Sequence, residues 1–130
     1  MAPEVDDSKW PLVEIVFPDT ITFDDIAGLG QRLLEILERR GPFASVADIS
    51  ALKLDSVTPL HRKKIAEAAD RISAMGGFIG EAVVIRNPVV RVLYVGYSWV
   101  RRRPEHPVET FGDKSSALAW VAGLLAKRGR

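Results

Sequence analysis

The sequence predicts an α/β domain: a mainly parallel sheet of four to five strands with four helices. Three observations predict it. Short apolar runs alternate along the chain with longer segments whose apolar residues recur every three or four positions. Helix-start signals follow the runs: Thr22 with Asp25, Thr58 with Pro59, Asn87 with Pro88, and Asp113. The resulting order β-α-β-α-β-α-β-α needs helical crossovers, which lie on the faces of a parallel sheet.

Residues 1–9 are small, charged and without apolar period, and read as a mobile tail. Leu12, Val13, Ile15, Val16 and Phe17, broken only by Glu14, read as a nearly buried strand ended by Pro18-Asp19. Thr22 and Asp25 have the spacing of a capping box, with Asp shorter than the preferred Glu. Ile26, Leu29, Leu33, Ile36 and Leu37 then mark one face of a helix to Arg40, stopped by Gly41-Pro42. Gly28 and Gly30 weaken its first turns and allow close packing. Phe43 to Ile49 reads as a central strand, and residues 50–57 as a loop. A second helix starts at Thr58-Pro59, buries Ile65, Ala68, Ala69, Ile72 and Met75, and ends at Gly76-Gly77. Ala82 to Ile85 reads as a third buried strand.

Asn87-Pro88 opens a third helix over about 88–100, apolar nearly all round. Its β-branched content leaves a strand over 89–95 as the alternative. After a polar connection at 101–107, Val108 to Phe111 alternates like a short strand. Asp113 caps a last helix through Ala117, Leu118, Trp120, Val121, Leu124 and Leu125. The domain is expected over 10–126, with a frayed basic tail at 127–130.

Composition narrows function. The chain has 130 residues, 47% of them apolar and 27% charged, enough for one domain with its own core. It has no cysteine, which excludes disulfides, thiolate catalysis and cysteine metal sites. Its only histidines are His61 and His106, each read as a solvated or loop residue. No apolar run is long enough for a transmembrane segment, and the acidic N-terminus is unlike a signal peptide, so a cytoplasmic location is expected. The net charge of +1 argues against nucleic acid as a partner. Charge is uneven, however. Acids (Glu4, Asp6, Asp7, Glu14, Asp19, Asp24, Asp25) crowd the start and bases (Arg101, Arg102, Arg103, Lys114, Lys127, Arg128, Arg130) the end.

No nucleophile, base and acid set is legible, and no phosphate-loop or dinucleotide motif, so no catalytic residue, metal or cofactor is expected. Three residue groups stand out. Asp48, Arg86 and Asn87 belong to the carboxyl rim of the sheet, where a parallel α/β fold opens its ligand crevice, and are the candidate anion or ligand site. The competing reading is Asp48 closing a turn beside a solvated Arg86. Ser56 and Thr58, at the start of the second helix, are candidate phosphoacceptors, against Thr58 as a plain cap. Val90, Tyr94, Tyr97, Arg101 and Arg102 are the candidate partner-binding set. Tyr94, Tyr97 and Arg101 share one helix face if Val89, Val92, Val95 and Trp99 face the sheet. The competing reading covers that face with the tail or the 101–107 loop.

Four segments carry a resemblance: TFDD at 22–25, VADIS at 46–50, VVIRNPVVRVLY at 83–94 and VETFGDKSSALAWV at 108–121. Together they resemble the SpoIIAA-like proteins, a branch of the STAS superfamily also likened to CRAL-TRIO lipid-transfer domains. In anti-sigma-factor antagonists of that superfamily a phosphorylated serine follows a D-S-S-G motif. The matching stretch here is LDSVTP, where Asp55 and Ser56 agree, Val57 replaces the second serine and the glycine is missing. Such domains often begin with a hairpin, whereas one strong strand precedes the first helix here. The resemblance implies a non-enzymatic module of bacterial regulation. It would bind a protein partner or form a homodimer through the third helix and the loop before the second. The alternative is a small-molecule or lipid-binding domain with a pocket lined by the third helix.

Overall fold

The computed structural model describes residues 2–92 and 106–128. Its elements are β1 (Glu4–Lys9), β2 (Leu12–Val16), α1 (Phe23–Arg40), β3 (Phe43–Asp48), α2 (Pro59–Ala74), β4 (Phe78–Val84), β5 (Val108–Phe111) and α4 (Lys114–Arg128). Residues 88–92 are helical and form the described part of α3. The sheet has the order β1-β2-β3-β4-β5. Only the β1–β2 pair is antiparallel. This is the mainly parallel five-stranded arrangement expected from the sequence.

Period-two alternation sends successive strand residues to opposite faces. Val13 and Ile15 of β2 join Phe43 and Phe78 in a core closed by Ile26, Leu33 and Ile36 of α1 and Ile72 of α2. Ile36 and Ile72 are each 1% exposed, and burial of such a side chain contributes about 1.5–3 kcal/mol. The opposite face carries Ala44, Val46, Ala82 and Val84 beneath Ala117 and Val121 of α4. Each step from β2 to β3 to β4 moves the same way across the sheet, so right-handed crossovers put α1 and α2 on one face. The packing of α4 is close because Gly80 offers no side chain: a Cβ there would lie 2.5 Å from Leu124 Cδ1.

The helix starts match their punctuation. Thr22 Oγ1 accepts from the Asp25 N–H at 3.0 Å, and the Asp25 carboxylate accepts from the Thr22 N–H at 2.9 Å. The shorter acid therefore still closes the box. Asn87 Oδ1 accepts from Val89 N–H at 2.9 Å, and the strand alternative fails over 88–92. At the end of α2, Gly77 N–H donates to Ile72 O and Gly76 N–H to Ser73 O, both at 2.9 Å. This is the Schellman pattern, with Gly76 at φ +69° in the left-handed region. Of the two α1 glycines, Gly30 is the one at a close approach: a Cβ there would sit 3.4 Å from Ala68 Cβ of α2.

Besides Met75, expected on the buried face of α2 but 55% exposed at its end, two expectations need correction. The stretch 1–9, expected as a mobile tail, contains β1. It pairs along β2, and α1 holds it by two arginines: Arg32 Nη2 lies 3.2 Å from Asp7 Oδ1, and Arg40 Nη1 donates to Asp7 O at 3.0 Å. Its lone inward apolar residue, Val5, gave too little pattern to read as a strand. The second correction is that β4 begins at Phe78, not at Ala82. A register shift sets Phe43 opposite Phe78 and Ala44 opposite Gly80, so the glycine-interrupted start still pairs.

Candidate functional site

A cavity of about 190 Å³ lies between the sheet and the α1–α2 pair. Its floor is Ile15, Ser45, Ala47, Glu81 and Val83, all on the face that α1 and α2 cover. Ile26, Leu29, Gly30 and Leu33 of α1 form one wall. Ile65, Ala66, Ala68, Ala69 and Ile72 of α2 form the other, and Arg62, Leu52 and Val57 stand toward the carboxyl ends of the strands. The space has a local cause. Ala47 in the floor and Ala66, Ala68 and Ala69 in the α2 wall are short side chains that leave space between them. Among the described residues of α2 only Ile72 is fully buried, with Ile65 and Ala69 partly buried against the same core.

Ser45 is the polar group of consequence. It is 3% exposed, lines the cavity, and its hydroxyl has no hydrogen-bond partner among the described residues. Leaving a buried hydroxyl unpaired costs about 1–3 kcal/mol. Directly across the β3–β4 ladder stands Glu81. Its carboxylate accepts from His106 Nε2, while His106 Nδ1 lies 3.2 Å from Ser73 Oγ. The His106 ring packs on Phe78 at 5.0 Å between centroids, and its side chain is 7% exposed. His106 was expected as a loop residue. Instead it bonds the start of β5 to both α2 and β4. Ser73 and His106 do not line the cavity.

The sequence-predicted sites fall elsewhere. Asp48 emerges on the opposite sheet face from Ser45 and Ala47, as alternation requires. Its Oδ1 accepts from Ser50 N–H at 2.9 Å, and Arg86 Nη2 stands 3.9 Å from its Oδ2. Arg86 N–H in turn donates to Ser50 Oγ at 3.3 Å, and the Arg86 side chain is exposed. Asp48 and Arg86 are thus brought together at the rim, with Asp48 closing a turn. Asn87 spends its side-chain oxygen on the amides of Val89 and Val90.

At the start of α2, Thr58 Oγ1 accepts from His61 N–H and lies 2.7 Å from His61 Nδ1, which also accepts from Thr58 N–H. This is a capping box with histidine in the place of Glu, and it requires the tautomer carrying its proton on Nε2. Thr58 is exposed. Ser56 Oγ donates to Lys53 O at 2.6 Å. Tyr94, Tyr97, Arg101 and Arg102 lie outside the described residues. Val90 lies within them and is half-buried, whereas Val89 and Val92 are 69% and 71% exposed. Over 88–92 the expected inward and outward sides are therefore exchanged.

The cavity was missed because it is formed by residues remote in sequence, but Ser45 had a signal: it is the hydroxyl inside the buried run Phe43 to Ala47. Among the described residues no three His, Asp or Glu side chains converge as a metal site, and no helix is long and apolar enough to cross a membrane.

No protein-family model matches the sequence, and no curated protein matches it. A solved structure does. It is an uncharacterized protein of the DUF3478 family from Shewanella loihica PV-4, described as having a SpoIIAA-like fold. The similarity covers 92% of this chain and 92% of that one, with a TM-score of 0.58 at 17% sequence identity. In this chain the Phe111 and Trp120 rings of the closing β5–α4 segment pack with centroids 5.6 Å apart. The chain thus has a SpoIIAA-like α/β fold.

Proposed function

We propose that this domain is a non-catalytic regulatory module that takes a small, mostly apolar molecule into the cavity beneath α2. The observation that carries this reading is a void of about 190 Å³ with apolar walls and an unpaired hydroxyl in its floor. That size lies above the ~150 Å³ of a cavity that binds benzene. It lies below the roughly 300–1,000 Å³ typical of drug-sized ligands. The sequence reading placed such a pocket against the third helix; the described lining comes from the sheet, α1, α2 and the loop between β3 and α2. The test is a thermal-shift panel of small apolar compounds. Binding raises the melting temperature of the wild type, and Ala47→Leu, which fills the floor, removes the shift while keeping the fold. A panel that leaves the wild type unmoved ends this reading.

A second reading, a module that binds a protein partner or a second copy, is favoured by an exposed patch where α1 and α2 begin. Phe23 and Leu60 are 41% and 47% exposed. The Phe23 ring lies 4.4 Å from that of His61, with Lys64 Nζ 5.8 Å from its centroid. Aromatic and basic groups of this kind suit a partner surface. The candidate residues Ser56 and Thr58 border it, and a phosphate there would meet the α2 amides. Tyr94, Tyr97, Arg101 and Arg102 belong to this reading as the proposed second half of the surface. Leu60→Asp and Tyr97→Glu are expected to lower partner capture, or solution mass for a homodimer. Unchanged association in both variants overturns it. A regulatory role and a cytoplasmic location are proposed with either reading.

A further inference from the structure

The chemistry of the cavity narrows its occupant, and the argument rests on the small-ligand reading above. Two polar side chains stand together on its floor, since Ser45 and Glu81 are register partners on neighbouring strands. They do different things. The Glu81 carboxylate is already engaged, with His106 among its partners. The Ser45 hydroxyl, 3% exposed, has no hydrogen-bond partner among the described residues while lining the void. A hydroxyl offers one donor and two acceptor sites. Placed in an apolar hollow, it rewards an occupant with a matching group and is left unpaired by one without.

We infer that the cavity selects a neutral compound, about one aromatic ring or a short aliphatic chain in size, through a hydrogen bond from its single hydroxyl or amide group to Ser45 Oγ. The charges in the lining set the sign of that selection: the Glu81 carboxylate stands beside Ser45, whereas Arg62, the cation of the lining, stands toward the carboxyl ends of the strands and donates to Val57 O at 3.4 Å. A second carboxylate placed there meets like charge, whereas a hydroxyl or amide donor does not. Apolar contacts with Ile15, Leu33 and Ile72 hold the remainder of the molecule.

The 130-residue chain tests this with phenol, toluene and benzoate as probes, titrated by NMR into wild type and Ser45→Ala. Phenol and toluene share size and shape and differ by a hydroxyl in place of a methyl group. Ser45→Ala is expected to weaken phenol about 10-fold and leave toluene unchanged or slightly tighter, which is the size of one net hydrogen bond. Unchanged toluene binding also shows that the variant retains its fold. Benzoate is expected to bind the wild type at least about 10-fold more weakly than phenol. If phenol and toluene both bind, and Ser45→Ala alters them equally, the hydroxyl anchor is wrong although the cavity binds. Benzoate binding as tightly as phenol overturns the neutral-ligand claim. If none of the three binds the wild type, the small-ligand reading itself fails, and Ala47→Leu then has nothing to abolish.

Discussion

Asp113 accepts two hydrogen bonds from one residue, and both favour its ionised form. Ser116 N–H donates to Oδ1 at 2.7 Å and Ser116 Oγ–H to Oδ2 at 3.0 Å. The backbone bond is the larger cause and the side-chain bond the next, and together they hold this carboxyl below its ordinary value of 3.8. Asp6 is lowered likewise by Ser8. A depressed folded value gives the sign directly. The cap contributes stability above the unfolded value and loses it as pH falls through the folded one. The Asp113 carbon resonance is therefore expected to titrate below pH 3.8, and Asp113→Asn to lessen the loss of stability on acidification. A midpoint at or above that value would remove the cap from the account. Residue-scale grammar of this kind was readable beforehand: Thr22, Thr58, Asn87 and Asp113 all cap where their sequence context placed them. The side chains that matter by what lies opposite were not, because Ser45 and Glu81 are brought together only by register.

At the scale of elements, His106 is a second joint between β5 and the rest of the domain, beside the β4–β5 ladder. Glu81 and Ser73 bond its two ring nitrogens, and they come from different elements, 25 and 33 residues away in sequence. His106→Ala removes both bonds and the contact with Phe78, and is expected to cost about 1–3 kcal/mol in urea denaturation. Faster amide exchange confined to Val108–Phe111 and the end of α2 is the local sign of the same loss. Unaltered exchange there would show that β5 is held by its ladder alone. Helices were more legible than strands because each one announces its start, its stop and its buried stripe within a few residues. Strand β1 announces none of these. It is charged on both sides of Val5, and what fixes it is the β2 backbone and two arginines of α1.

For the molecule as a whole, the strand and helix order predicted the fold, and the rule of right-handed crossovers placed α1 and α2 on a shared face. The location of the cavity did not follow from that order. General experience with parallel sheets pointed to Asp48 at the carboxyl rim. The space lies on the other face, where a row of alanines in α2 fails to fill the distance to the floor. The uneven charge also finds a partial account, since Glu14 of the acidic first third is paired with Lys114 of the basic last third at 2.9 Å. This pair, with Glu14 largely buried and Lys114 half-exposed, ties the two ends of the chain. The hairpin of β1 and β2 has a final consequence. A chain shortened to begin at Trp10 would uncover the outer amides and carbonyls of β2, the strand of Val13 and Ile15. It would also strip the acidic residues that now discourage another molecule from adding a strand there. Those first nine residues guard solubility, and shortened preparations should precipitate by edge-to-edge growth long before their core gives way.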